Sequence, residues 1–140
     1  MRLLIDTNVV LDFLQEREPF VESAAELFAR IDRGEIEGFI AATTITNIYY
    51  IVRRGVGAIV AKNSVIQILS SLNICTVDQE VLEQAIKLNF QDYEDAVQYS
   101  CAIAYNLDAI VTRDLSGFVN SEIPVVLPND LEILFPPSGL

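Results

Sequence analysis

Five short, largely apolar segments, separated by one or two amphipathic stretches, limit the folds open to this chain. The segments cover residues 2–5, 38–42, 73–77, 109–112 and 125–127. Apolar runs that do not alternate with polar residues are typical of strands covered on both faces. Strands that alternate with helices pair in parallel and place helices on both sides of the sheet. The sequence therefore predicts a three-layer α/β/α fold, with a mostly parallel sheet of about five strands, in a single domain over residues 1–140.

The intervening stretches carry helical start and stop signals. Pro19 fits the first turn of a helix that runs to about Arg33, and Thr43 or Thr44 is expected to cap a helix that stops at Gly55. The remaining predicted helices follow residue 6 and cover residues 58–72, 78–90 and 92–106, and a short helical tail and "PPSG" follow the last strand.

Composition excludes several classes of function. The formal net charge is -11, which disfavours passive binding to a phosphate backbone unless bound cations or a basic partner reverse the local charge. Histidine is absent, so His-based catalytic triads and His-ligated zinc are excluded. No apolar run is long enough to span a membrane, and Asp6 interrupts the first apolar run too early for a signal peptide. Cys75 and Cys101 are expected to be buried, reduced thiols, as in a cytoplasmic protein.

Several acids are predicted to meet at one edge of the sheet. Asp6 follows the first strand and Asp114 follows the strand at 109–112, and parallel strands gather functional groups at their carboxyl ends. Asp92 and Asp95 lie three residues apart at the start of a helix. Clustered carboxylates stay ionised only beside cations, and oxygen ligands select Mg²⁺ or Mn²⁺ over zinc. The pattern thus favours a divalent ion that activates water at a phosphodiester.

Each acid also has a purely structural interpretation. Asp6 is equally well explained as a helix cap, and for Asp92 a capping role is the favoured interpretation. Asp114 fits the first position of the turn "DLSG". Asp12 is expected to be a solvated helix residue. Only the joint arrangement of the acids is specific.

These motifs resemble the PIN-domain nucleases over nearly the whole chain. "LLIDTNVVLDFL" resembles the opening strand and first acid of that family, and "DYEDAVQYSCAIAYNLDAIVTRDLSGF" resembles its second acidic block. "ATTITNIYYIVRR" is similar to the third helix of a bacterial, VapC-like subgroup, and "IPVVLP" to its closing strand. The order and spacing of the motifs are more specific than any one of them.

The resemblance implies an Mg²⁺- or Mn²⁺-dependent ribonuclease related to VapC-like toxins. It assigns Asp6, Asp95 and Asp114 as catalytic metal ligands, and it gives Thr112 and Asn8 the role of holding that edge by hydrogen bonds. It also implies an antitoxin partner that blocks the site, and a homodimer, which is common in that subgroup.

Two departures from the family pattern concern the metal. Asn47 stands where the family commonly has a Glu on the third helix, so it would contribute an oxygen without a charge. Glu94 is a possible substitute, although the adjacent Asp95 is expected to face about 100° away on the helix. Gly117 stands where relatives often carry another acid. These departures leave the number of bound ions and the turnover open.

Basic and aromatic residues provide candidate RNA contacts. Arg54 lies seven residues after Asn47 and Tyr50 lies three after it, so the three share a helix face. Arg54 and Arg113 are candidates for steering the RNA backbone and Tyr50 for lining the groove. For Arg54, a charged helix end that complements the helix dipole is the favoured interpretation, and for Arg113 a structural role is as well supported as RNA contact.

The leading prediction is a metal-dependent endoribonuclease in which water attacks the phosphodiester and no side chain is the nucleophile. The alternative is a PIN-fold module that binds RNA or protein and has a weakened metal site, as Asn47 and the acidic surface suggest. A phosphate-handling enzyme of another α/β family fits less well. Asn8 stands where one such family needs a second Asp, and no Lys follows the strand at 109–112.

Overall fold

A five-stranded, fully parallel sheet forms the centre of the computed structural model, which describes residues 1–135. The strand order is β3-β2-β1-β4-β5, so the first strand is central and its neighbours are β2 and β4. The predicted α/β/α architecture is confirmed. The residues "PPSG" of the predicted tail lie outside the described range.

The strands are short and are joined mainly by helices. The strands are β1 (Arg2–Ile5), β2 (Glu37–Ala41), β3 (Asn73–Cys75), β4 (Ala109–Val111) and β5 (Val125–Val126). The α-helices are α1 (Thr7–Leu14), α2 (Val21–Asp32), α3 (Ala42–Val56), α4 (Ala58–Ser71), α5 (Gln79–Ile86) and α6 (Tyr93–Ala104). Two 3₁₀ helices, Leu115–Phe118 and Pro128–Leu134, follow β4 and β5.

The sheet is buried on both faces because successive side chains of each strand point to opposite sides. Leu3 and Ile5 belong to a core that includes residues of α1 to α4, whereas Leu4 belongs to a second core with residues of α5 and α6. Both cysteines lie in the second core without a disulfide, and burial raises the pKa of Cys75 to about 12 and of Cys101 to about 11. They are therefore neutral thiols.

The third helix differs from its prediction at both ends. Neither Thr43 nor Thr44 caps it, because α3 begins at Ala42 directly after β2 and both threonines lie within its first turn. The helix continues through Gly55 to Val56 and is followed by Gly57 as its C-cap, whose φ of 94° lies in the left-handed region that glycine adopts readily.

Other helix ends were also misplaced. The second helix begins at Val21, two residues after Pro19, and α6 ends at Ala104 rather than near Asn106, which has a φ of 53°. The helix opened by Asp78 ends at Ile86 instead of reaching Phe90, because the chain must turn before Asp92 caps α6. Within residues 1–135, no helix is long and apolar enough to cross a membrane.

Candidate active site

Four aspartates meet at the edge of the sheet where the strands end. Asp6 follows β1 and Asp114 lies three residues after β4, its parallel neighbour. Asp92 and Asp95 come from the start of α6. All four line one open cavity of about 240 Å³, which we call the acid cavity, together with Thr7, Asn8, Leu11, Arg17 and Glu94. The predicted convergence of these acids is therefore present in the structure.

The Asp6 carboxylate is held by three hydrogen-bond donors. It is buried, with 6% of its surface exposed. The backbone N–H of Thr7 donates to Oδ1 at 2.7 Å, the Gln98 amide donates to Oδ1 at 2.9 Å, and the Thr112 hydroxyl donates to Oδ2 at 2.7 Å. Asp6 thus caps α1 and also faces the acid cavity, so its two sequence interpretations do not exclude each other.

Gln98 was not identified from the sequence. It is fully buried on α6, three residues after Asp95, and its amide links that helix to the end of β1. A signal was available, since a polar residue on the buried side of a helix needs a partner.

The segment after β4 is tied to the same edge. The Thr112 hydroxyl that donates to Asp6 also accepts a hydrogen bond from the Asp114 backbone N–H at 3.0 Å. The Asn8 side-chain oxygen accepts from the backbone N–H of Arg113 at 3.3 Å. Thr112 and Asn8 therefore lie where they can hold Asp6 and Asp114 in a fixed relation.

Asp95 carries the strongest electrostatic perturbation of the site. Burial, followed by repulsion from the nearby Asp6, Asp92, Glu94 and Asp114, raises the pKa of its carboxyl to about 7. Within residues 1–135, no donor forms a hydrogen bond to this carboxylate. Asp95 therefore experiences desolvation and repulsion that no neighbouring positive charge offsets.

Gly117 explains how Asp95 and Asp114 come close together. A Cβ added at Gly117 would lie 2.6 Å from Asp95 Oδ2 and 3.9 Å from Asp114 Oδ2. The first distance is shorter than van der Waals contact, so any side chain here would displace the Asp95 carboxylate. The glycine that departs from the family pattern is thus the residue that gives Asp95 its space.

Asp92 and Asp114 each use one carboxylate oxygen for a local cap. Asp92 Oδ1 accepts from the Asp95 backbone N–H at 3.0 Å, so the favoured capping interpretation is correct. Asp114 Oδ1 accepts from the backbone N–H of Ser116 at 3.2 Å and from its hydroxyl. The second oxygen of each carboxylate makes no hydrogen bond within the described residues, which leaves it available to a ligand.

Glu94 lies closer to the cluster than the sequence suggested. Its carboxylate accepts a hydrogen bond from the Thr7 hydroxyl at 3.0 Å, and it lines the acid cavity beside Asp95. The expected divergence of the two acids does not separate them, because the cavity lies at the first turn of α6.

Asp12 is buried, and the expectation of a solvated residue is wrong. Only 1% of its side chain is exposed, and Arg113 holds it through Nε at 2.7 Å and a second guanidinium nitrogen at 3.2 Å. The Arg113 guanidinium also lies 3.9 Å from the centre of the Phe20 ring. Arg113, predicted as an RNA contact, is thus engaged within the protein.

Arg17 is the basic residue that the structure brings to the acid cavity. Its guanidinium lies 3.9 Å from Asp12, which Arg113 already neutralises, and 37% of its side chain is exposed. No sequence pattern singles out Arg17, because its position depends on how the chain turns after α1.

The three predicted residues of α3 are not brought to the acid cavity. Asn47 is half-buried, and Tyr50 and Arg54 are exposed, with 57% of the surface of Tyr50 accessible. None of the three is among the residues that line the cavity within the described chain.

The donor set fits a hard divalent cation. Within residues 1–135, no three His, Cys, Asp or Glu side chains already stand in a coordination arrangement. However, the cavity offers mainly carboxylate oxygens, as Mg²⁺ and Mn²⁺ prefer, and several of these oxygens accept no hydrogen bond within the described residues. The raised pKa of Asp95 marks the charge that a cation would offset.

The sequence profile of the PIN domain family matches residues 2–116. The chain belongs to the PIN domain family. It is 24% identical over 130 residues to ribonuclease VapC1 of Aquifex aeolicus, with 89% of each chain covered.

Solved structures share the PIN fold. VapBC2 from Rickettsia felis, bound to a DNA fragment from its promoter, superposes with a TM-score of 0.68 at 17% identity, over 90% of this chain and 97% of that one. A toxin–antitoxin complex from Klebsiella pneumoniae gives a TM-score of 0.65 at 22% identity, over 90% and 97% of the two chains. At these identities, the likeness shows the fold.

Loss of Arg113 is predicted to destabilise this PIN domain. Arg113→Ala would leave the buried Asp12 carboxylate with only the distant Arg17, and breaking a buried pair from one side costs about 3 kcal/mol. Urea unfolding measures this change. Arg17→Ala, which removes the exposed and longer contact, is expected to cost less than about 1 kcal/mol.

A double-mutant cycle separates this pairing from other effects of the substitution. In an Asp12→Asn background, Arg113→Ala should cost much less than in the wild type. An equal cost in both backgrounds would show that Arg113 does not act through Asp12.

Asp95→Asn is predicted to stabilise the protein when metal is removed. It eliminates a repelled, partly desolvated charge, and we expect a gain of about 1 kcal/mol at pH 8 in EDTA, reduced by solvent screening because Asp95 is half-exposed. The wild-type carboxyl takes up a proton in the folded state at about pH 7 but only at about 3.8 when unfolded. The gain should therefore be complete above pH 7 and disappear as the pH falls towards 4.

Urea unfolding at several pH values measures this gain. Asp130→Asn, which alters an exposed acid of the second 3₁₀ helix, serves as the matched control and should show no such pH dependence. A gain that is the same at pH 5 and pH 8 would contradict the assigned cause.

Proposed function

We propose that this PIN domain protein is an Mg²⁺- or Mn²⁺-dependent endoribonuclease that hydrolyses phosphodiester bonds in single-stranded or loop RNA. One observation carries the proposal. Asp6, Asp95 and Asp114 come from three separate elements to one cavity, where the charge of Asp95 is not offset by the protein. Repelling carboxylates of this kind are typical of functional sites. The similarity to a relative named as a ribonuclease supports the choice of substrate.

The proposed roles follow from the geometry of the cavity. Asp6, Asp95 and Asp114 hold the ion, which when bound supplies an activated water and stabilises the charge that develops on the phosphate. Thr112 and Gln98 orient the Asp6 carboxylate, and Asn8 supports the segment that carries Asp114.

Other polar residues are proposed to support the ligands. Asp92 positions the start of α6, and Glu94 offers a further carboxylate at the same cavity. Asn47, which lies on α3 away from the cavity, has no assigned contact with the ion.

Arg17 is proposed as the contact for a substrate phosphate beside the acids. It is the basic side chain that lines the acid cavity, and its pairing with Asp12 is long. Tyr50 and Arg54 stay predicted RNA contacts on the exposed side of α3, further from the reaction. Arg113 is assigned to holding Asp12 instead.

We also propose that the protein is the toxin of a toxin–antitoxin pair and acts in the cytoplasm as a homodimer. Relatives of this fold were solved as toxin–antitoxin complexes, and two buried thiols without a disulfide suit a reducing compartment. Exposed aliphatic residues on α3 and α4 provide surface for a partner, namely Val56, Ile59, Ile66 and Leu69.

A binding module without catalysis is the second candidate. It is favoured by Asn47 at the position of the usual Glu, and by the absence, within residues 1–135, of acids already arranged for an ion. The activity assay below distinguishes the two candidates.

Asp6→Asn is predicted to abolish cleavage of a mixed single-stranded RNA pool in Mn²⁺. The substitution removes the charge of a metal ligand. The new NH₂ group also faces hydrogen-bond donors that point at the carboxylate in the wild type, so the side chain loses the contacts that orient it. Circular dichroism should show a retained fold. Asp130→Asn, prepared identically, should cleave like the wild type.

Two outcomes of this assay would contradict the prediction. Cleavage by Asp6→Asn at the wild-type rate would refute the assignment of Asp6. Cleavage by neither protein, combined with no Asp6-dependent binding of Mn²⁺, would favour the binding module.

Arg17→Ala is predicted to raise the KM for RNA by about five- to tenfold at low salt, with less effect on kcat, because it removes one phosphate contact. The effect should shrink as salt is added. Arg54→Ala is the matched control and should change KM less. A larger effect of Arg54→Ala would place the main phosphate contact on α3 instead.

A further inference from the structure

A second cleft adjoins the acid cavity. It has a volume of about 580 Å³, within the range of about 300–1,000 Å³ found for small-molecule sites. Asp92, Asp95 and Asp114 line both spaces and form the boundary between them. A strand of RNA whose phosphate lies at the acids therefore has one neighbouring nucleotide beside this cleft.

The walls of the cleft away from the acids are uncharged. They carry three amide side chains, Asn89, Gln91 and Asn120, together with Phe90 and Val119. No Lys or Arg lines the cleft within the described residues, so a phosphate would find acids and no cation there. A neutral, planar group that forms hydrogen bonds fits this lining. Amide side chains pair with base edges, and unstacked bases also pack on aromatic and apolar side chains.

The walls are held in place by contacts within the protein. The Asn120 amide donates a hydrogen bond to the backbone carbonyl of Asn89, which joins the segment after the first 3₁₀ helix to the turn before α6. Phe90 packs against Tyr99 and Phe118, with ring centres 5.2 and 6.2 Å apart. These contacts shape the cleft before a ligand arrives, and a preformed cleft favours binding because less of the protein has to be ordered.

The two sides of the acids differ in charge. Arg17 lines the acid cavity on one side, whereas amides line the cleft on the other. This asymmetry suits a phosphate on the Arg17 side and a base on the amide side of the reacting phosphodiester.

We propose that the cleft lined by Asn89, Gln91 and Asn120 binds one unpaired nucleobase of the RNA, next to the phosphodiester that is cleaved. The inference rests on the proposed function, because it takes RNA as the substrate. The amides make this cleft the part of the site that selects which base stands beside the cleavage position.

The test begins with cleavage of a random single-stranded RNA pool in Mn²⁺, to find an RNA that the wild type cuts at one position. A series of that RNA is then made in which one nucleotide at a time is abasic. The kcat/KM of the wild type should fall about tenfold for an abasic residue at one position beside the cut, as expected for loss of base contacts.

Gln91→Ala is the main variant, because Gln91 is exposed and its side chain makes no hydrogen bond within residues 1–135. With the intact RNA, it should lose about three- to tenfold in kcat/KM, mainly through KM. With the RNA that is abasic at the sensitive position, it should cleave like the wild type, since the base and the amide act together. Gln67→Ala, the same change at an exposed position of α4, should follow the wild type throughout.

The outcomes separate this inference from the proposed function. The base site is refuted, while the nuclease stands, if the wild type cleaves RNA but its kcat/KM falls at no abasic position. It is also refuted if Gln91→Ala and Asn89→Ala both still lose as much kcat/KM as the wild type when the nucleotide beside the cut is abasic. If the wild type cleaves no RNA, the proposed function fails and the base site falls with it.

Discussion

The hydrogen bonds to the Asp6 carboxylate join the elements that make the site. Through Thr7, Gln98 and Thr112, one buried side chain connects the end of β1 to α1, α6 and the segment after β4. Thr112 in turn positions Asp114, and α6 carries Asp95. The relative placement of the three acids therefore depends on contacts that are complete without any ion.

The same arrangement leaves charge that the protein does not compensate. The neighbours that raise the pKa of Asp95 are the acids gathered for function, and Gly117 allows the Asp95 carboxylate to stay among them. Nearby, Asp12 is buried as well, but Arg113 neutralises it. The protein thus pairs the buried structural acid with a cation, whereas Arg17, the basic residue at the acid cavity, forms no ion pair with the cavity acids within residues 1–135. That contrast distinguishes a functional cluster from a structural ion pair.

Much of the fold was predictable, because apolar strands that alternate with helices form a parallel sheet, and all strands of such a sheet have their carboxyl ends at the same edge. The convergence of Asp6, Asp92, Asp95 and Asp114 followed from their positions at strand and helix ends, whereas the choice of Asp6, Asp95 and Asp114 as ligands came from the resemblance to PIN-domain nucleases. Residues such as Arg17, Gln98 and the pair of Asp12 with Arg113 were missed, because their roles depend on contacts between segments far apart in the chain. The predicted helix start was wrong where a strand and a helix join directly, as at Ala42, because no capping side chain marks that boundary.

The hydrogen bonds of Asp6 also limit what it can offer an ion. A carboxylate has about four lone-pair sites, and three of those on Asp6 already accept protein donors. Asp6 can therefore contribute one oxygen contact and cannot chelate with both oxygens. A cation that needs a bidentate carboxylate would have to take it from another acid of the cavity, such as Asp95, whose oxygens accept no hydrogen bond within residues 1–135.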